Sequence, residues 1–110
     1  MSDEYIKGTN IDSLCLSLLF ERKLRKLGIN KKPYRELFDG TWALTWRSDS
    51  RGIINIAFYD SGIATWAAYL PSTPSIPDKR EYKGRFIVLK GIPVNVFCLI
   101  KEICEKKEGS

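Results

Sequence analysis

The chain has 110 residues, 18 of them basic and 13 acidic, no histidine, and a formal net charge of +5. That length suits one domain around one modest core, and an apolar fraction of 44% with 28% charged residues excludes global disorder. The missing histidine removes histidine-based triads, histidine general bases and most transition-metal sites, and no apolar run is long enough to cross a bilayer.

The start, Met1-Ser2-Asp3-Glu4-Tyr5, is acidic and polar, so no signal peptide is expected and a cytoplasmic location follows. Residues 1–9 read as a flexible lead-in. Asn10 or Asp12 then caps a helix expected to run to about Leu27. Ile11, Leu14, Cys15 and Leu18 fall at helical spacing, Leu16, Leu19 and Phe20 widen the stripe, and Gly28 ends it. The second half of this helix and the segment after it are basic: Arg22, Lys23, Arg25, Lys26, Lys31, Lys32 and Arg35. One reading is a solvated helix end whose cations oppose the helix dipole. The other is an electrostatic footprint for phosphates or for the acidic side chains of a partner.

Residues 33–40 read as a connector, with Leu37 and Phe38 under a sheet and Asp39-Gly40 turning into the first strand. Three alternating runs follow, Thr41–Arg47, Ile53–Tyr59 and Ile63–Leu70, and period two with aromatic and β-branched residues means strands. A five-residue loop, Ser48 to Gly52, pairs Trp46 with Ile54. The three-residue loop Asp60-Ser61-Gly62 pairs Tyr59 with Ile63 and Ile56 with Trp66. Both lengths send Trp42, Trp46, Trp66 and the large aliphatics to one face, and a slip by one residue would expose the indoles. The opposite face holds Ala43, Thr45, Asn55, Ala57, Thr65 and Ala67, framed by Tyr59, Tyr69, Ile53 and Ile63. A solvated sheet face explains it, as antiparallel sheets allow. So does a docking surface for a partner or for a second copy of the chain, since uncharged small residues with tyrosines at the margin suit an interface.

The prolines at 71, 74 and 77 match polyproline II spacing in a surface connector. Arg80 to Leu89 reads as a fourth strand, with Gly84 at a bulge or a close approach. The last helix opens at Gly91-Ile92-Pro93 and carries Val96, Leu99, Ile100 and Ile103 on its apolar stripe; residues 105–110 read as a loose tail. Cys15, Cys98 and Cys104 lack zinc-site spacing and are expected as buried free thiols.

The expected architecture is a single α+β domain: a four-stranded antiparallel meander with an N-terminal and a C-terminal helix packed on one face. No cofactor, metal or catalytic constellation is expected. In layout, a leucine-rich helix, Trp-x-x-x-Trp, Ile-x-Ile-x-Phe-x-Asp-x-Gly and a closing helix resemble small bacterial and phage helix–meander–helix proteins. Some of those are immunity or inhibitor proteins. The resemblance implies a non-catalytic protein-binding module that blocks a toxin or defence protein by steric docking; the positive charge points to an acidic surface on that partner, with a small nucleic-acid-binding regulator as the alternative. The contact residues would be the basic cluster, or Thr45, Asn55, Tyr59, Thr65 and Tyr69 on the open sheet face.

Overall fold

A computed structural model describes residues 12–105. It is an α+β fold in the order α1 (Ser13–Lys26), β1 (Tyr34–Phe38), β2 (Thr41–Ser48), β3 (Gly52–Phe58), β4 (Ile63–Leu70), β5 (Arg80–Ile87) and α2 (Val94–Cys104). The strands form one antiparallel meander, β1-β2-β3-β4-β5. The sheet thus has five strands, not four. The extra one is the segment read as a connector, and its pairing follows from the turn behind it. Asp39 and Gly40 both have positive φ, 55° and 78°. That is the backbone of a two-residue type I′ hairpin, for which Asp-Gly is a preferred pair. Phe38 is therefore set opposite Thr41 and Tyr34 opposite Thr45.

The two central hairpins have the expected register, with Trp46 opposite Ile54, Ile56 opposite Trp66 and Phe58 opposite Ala64. The β2–β3 loop is tighter than expected. Ser48 pairs with Gly52, leaving three residues between them, and the pairing beyond is unchanged. Gly52 (φ +128°) lies tight against the neighbouring β4, where a β-carbon would collide with the Tyr69 carbonyl oxygen. Gly84 is the close approach that the sequence suggested. A β-carbon there would lie 3.0 Å from the Trp66 indole nitrogen, so the ring lies against bare backbone.

Both helices cover the tryptophan face. Leu16, Phe20 and Leu24 from α1 meet Val96, Ile100 and Ile103 from α2 over Leu44, Trp46, Ile54, Ile56 and Phe58. Phe20 sits among Trp46, Phe58 and Phe86, with ring centroids 6.3, 5.4 and 5.7 Å away. Trp46 and Trp66 are buried, whereas Trp42 is only half-buried. The stripe that α1 buries is not the one drawn from Leu14, Cys15 and Leu18. Leu18 is 47% exposed and Cys15 is exposed, while Ser13 and Ser17 are buried. Fitting the largest ring of the helix, Phe20, into the aromatic cluster fixes the rotation of α1. Ser17 tolerates burial because its hydroxyl donates to the Leu14 carbonyl, and the Ser13 backbone N–H donates to Asp60. Ile11 lies outside the described residues.

Asp12 caps α1, accepting from the Leu14 N–H. The helix stops where Gly28 (φ +99°) takes the left-handed position, with Gly28 N–H donating to Arg25 and Ile29 N–H to Leu24, the bond pair of a Schellman cap. The strand expected through Leu89 ends at Ile87 and passes into a 3₁₀ turn over Val88–Lys90 that buries Val88. The proline-rich connector does not extend as polyproline II: Thr73 and Ile76 exchange backbone hydrogen bonds and close a turn. Cys15 and Cys98 are exposed and Cys104 half-buried, so burial of all three thiols is corrected. Among the described residues no helix is long and apolar enough to cross a membrane. The expected loose segment 1–9 lies outside the described residues, as does all of 105–110 except Glu105, whose N–H donates to the Lys101 carbonyl.

Candidate partner-binding surfaces

The basic cluster gathers at one end of the sheet because α1 runs along it. The helix starts beside the β3–β4 turn, where Ser13 N–H reaches Asp60, and ends beside the β2–β3 turn. There the chain is tied down by two bonds. Trp46 Nε1 donates to the Lys31 carbonyl at 3.0 Å, and Lys31 Nζ donates to the Arg47 carbonyl at 2.8 Å. Arg22, Arg25, Lys26, Lys31 and Lys32 are exposed and Lys23 is half-buried. Exposed Arg47, at the end of β2, turns its side chain to the opposite face of the sheet, loosely paired with Asp49 at 3.7 Å. Among the described residues Arg22, Lys23, Lys26 and Lys32 form no ion pair, and Arg25 reaches Glu21 only at 4.0 Å. Placing Lys23, Arg25 and Lys26 in the last turn opposes the helix dipole. Lys31 and Lys32 lie beyond that turn, so the dipole does not account for them.

Arg35 does not belong with this group. Its place in β1 turns it to the helix-covered face, opposite Leu44. The guanidinium ion-pairs with Glu21 and donates to the Ser17 hydroxyl at 2.8 Å. Its side chain is 26% exposed and that of Glu21 14%, so this is a clamp between β1 and α1 rather than free charge. A matching clamp ties β5 to α2, where Arg80 donates to Glu102 at 2.8 Å. The Glu102 hydrogen bond holds the Arg80 guanidinium more firmly protonated than usual, against the opposing effect of burial. The buried Arg80 Nε lacks a protein partner.

The open face is larger than the sequence reading made it. The register assembles rows across all five strands. Tyr34, Thr45, Asn55, Ala67 and Lys83 form one; Glu36, Ala43, Ala57, Thr65 and Arg85 form the next. Arg47, Ile53, Tyr69 and Glu81 lie on one side of these rows, and Phe38, Thr41, Tyr59, Ile63 and Ile87 on the other. All five expected residues, Thr45, Asn55, Tyr59, Thr65 and Tyr69, are on this face, and Asn55 Nδ2 donates to Thr45 Oγ1 at 2.8 Å. Tyr34, Glu36, Phe38, Lys83 and Arg85 were missed. The Asp-Gly turn and the alternation of β5 were the signals that place them. A hollow of about 390 Å³ lies between Phe38 and Tyr59, floored by Thr41, Ala43 and Ala57.

Among the described residues no three His, Cys, Asp or Glu side chains gather as a metal site would require. Comparison with protein-family models, with curated proteins and with solved structures found no match.

Proposed function

We propose that this chain is a non-catalytic protein-binding module whose basic end docks on an acidic surface of another protein, in the manner of an inhibitor or immunity protein that acts by occlusion. The observation that carries the reading is the convergence at one end of the sheet of exposed cations from two sources: the last turns of α1 and the Lys31-Lys32 segment. Leu27, at the end of α1, is 57% exposed beside them. An apolar side chain among arginines suits a protein interface, where apolar contact adds to charge. A phosphate backbone would draw little from it. The open sheet face is not needed for this contact.

Cross-linking the chain in its native cell and purifying the captured protein supplies the partner for kinetics. Combined Arg22→Glu, Arg25→Glu, Lys26→Glu and Lys32→Glu substitutions should slow association about tenfold or more and flatten its salt dependence, because charges at the rim act mainly on the on-rate. An association rate unchanged by the four reversals overturns the reading. Retention of generic duplex or single-stranded nucleic acid at physiological salt, with no acidic protein captured, replaces it with the phosphate-binding alternative.

A further inference from the structure

We infer that the open sheet face is the interface of a symmetric homodimer, in which two copies pack face to face about a two-fold axis running along β3. The two strand edges of the face carry opposite character. Glu36 is the charged residue of β1 on this face, whereas β5 carries Lys83 and Arg85 opposite the central rows, with Glu81 only in the outer row beside Tyr69. Between them, Arg47 is the sole charged residue that β2, β3 and β4 turn to this side. A rotation about β3 lays β1 of one protomer over β5 of its partner and keeps each row on itself.

The residues that then meet are complementary row by row. Glu36 faces Arg85 of the partner copy, twice by symmetry. Tyr34 faces Lys83, and Arg47 faces Tyr69, both suited to a cation over an aromatic ring. Phe38, 73% exposed in the single chain, faces Ile87, which is 46% exposed. On the axis Ala57 meets Ala57 and Asn55 meets Asn55 at the centre, small enough for two sheets to approach to the ~10 Å of a sandwich, while Ile53 meets Ile53 and Tyr59 meets Tyr59 at the two ends. Ile63 of the partner stands over Thr41, in the hollow between Phe38 and Tyr59. Turning the second copy about an axis across the strands would instead lay β1 over β1 and β5 over β5, bringing the Lys83 and Arg85 side chains of one copy toward those of the other.

The size is sufficient. Four rows at about 7 Å and five strands at about 4.8 Å span roughly 650 Å² per protomer. The pair buries roughly 1,300 Å², inside the range of specific interfaces.

Sedimentation velocity on the full chain across micromolar concentrations reads the outcome. A reversible dimer is expected. Ala57→Arg, which sets two like charges on the axis, should give a monomer with unchanged far-ultraviolet circular dichroism. Glu36→Arg and Arg85→Glu should each weaken the dimer about a hundredfold, since each replaces two attractions with two repulsions, and the double substitution should restore it. A wild-type monomer at every concentration overturns the proposal. So does a dimer that persists in Ala57→Arg, or one indifferent to both single reversals, as strand-edge pairing would be. Binding of an acidic partner by the basic end is measured on other residues and stands or falls separately.

Discussion

Replacing Arg35 by methionine separates a structural cation from a binding one. Methionine keeps most of the apolar stem and removes the guanidinium, and with it the Glu21 ion pair and the 2.8 Å bond to Ser17. A hydrogen bond between charged groups contributes about 1.5–3 kcal/mol and a neutral partner about 1. The side chains are 26% and 14% exposed, so some screening remains and the lower half of that range applies. The expected loss is about 2–3 kcal/mol, against a total of roughly 5–15 kcal/mol for a domain of this class. β1 should suffer first. It is a short edge strand whose side chains are mostly exposed, held by its pairing with β2 and by this clamp. Urea unfolding followed by tryptophan fluorescence gives the global cost, and hydrogen exchange over residues 34–38 gives the local one. Glu21→Gln with Arg35→Met should show a coupling of about 1–2 kcal/mol in a double-mutant cycle. Arg22→Met, on the exposed side of α1, should stay within about 0.5 kcal/mol. An Arg35→Met cost below about 0.5 kcal/mol would refute the clamp and return Arg35 to the binding surface.

Gly52→Ala should destabilise by roughly 2–3 kcal/mol in the same urea assay, because it combines strain at φ +128° with a β-carbon aimed at the Tyr69 carbonyl; a neutral result would mean that β4 can move aside. Burial raises the Cys104 thiol above its ordinary range, more than Lys31 lowers it. Alkylation at neutral pH should therefore label exposed Cys15 and Cys98 well before Cys104, by mass spectrometry of the digested chain. Because the folded state favours the protonated thiol, Cys104 contributes full stability below the thiol pKa of the unfolded chain. The contribution is lost as pH rises through the higher folded value, and Cys104→Ala should blunt this alkaline decline.

The sequence makes the centre of the sheet legible because two independent constraints agree there. Loop length and alternation both put Trp46 opposite Ile54 and Ile56 opposite Trp66. β1 was harder to read because Tyr34-Arg35-Glu36-Leu37-Phe38 alternates without sorting by polarity. One side of it carries Arg35 and Leu37, the other Tyr34, Glu36 and Phe38, and neither is uniformly apolar. Asp39-Gly40 was the stronger signal, since a pair suited to two positive φ angles implies a strand on both sides. The same gap misplaced Arg35 among the free cations, because its partner Glu21 is near it only once β1 pairs with β2. In α1, spacing permits several overlapping stripes. Rotation is decided by which side chain fits the sheet, and Phe20 fits a cluster assembled from β2, β3 and β5. The open face reads as narrow for a related reason: its charged margins, Glu36 on one side and Glu81, Lys83 and Arg85 on the other, lie on the two strands whose pairing the sequence leaves unspecified.

The two proposed surfaces bear on one another through symmetry. A two-fold axis along β3 leaves the strand direction unchanged between protomers. Both α1 helices of the proposed dimer therefore end on the same side, and both sets of Arg22, Arg25, Lys26 and Lys32 point one way. A partner with two acidic patches, or an extended acidic surface, then meets the second basic end at an effective concentration on the order of millimolar. The consequence is measurable on poly-glutamate immobilised at graded density. On a dense layer the wild-type chain should dissociate at least ~100-fold more slowly than Ala57→Arg, although that variant carries an extra positive charge. On a sparse layer, where one contact is made at a time, the two should leave at similar rates. Equal dissociation at every density, from a chain shown by sedimentation to be dimeric, would mean that the two basic ends do not share a side and that the axis lies elsewhere.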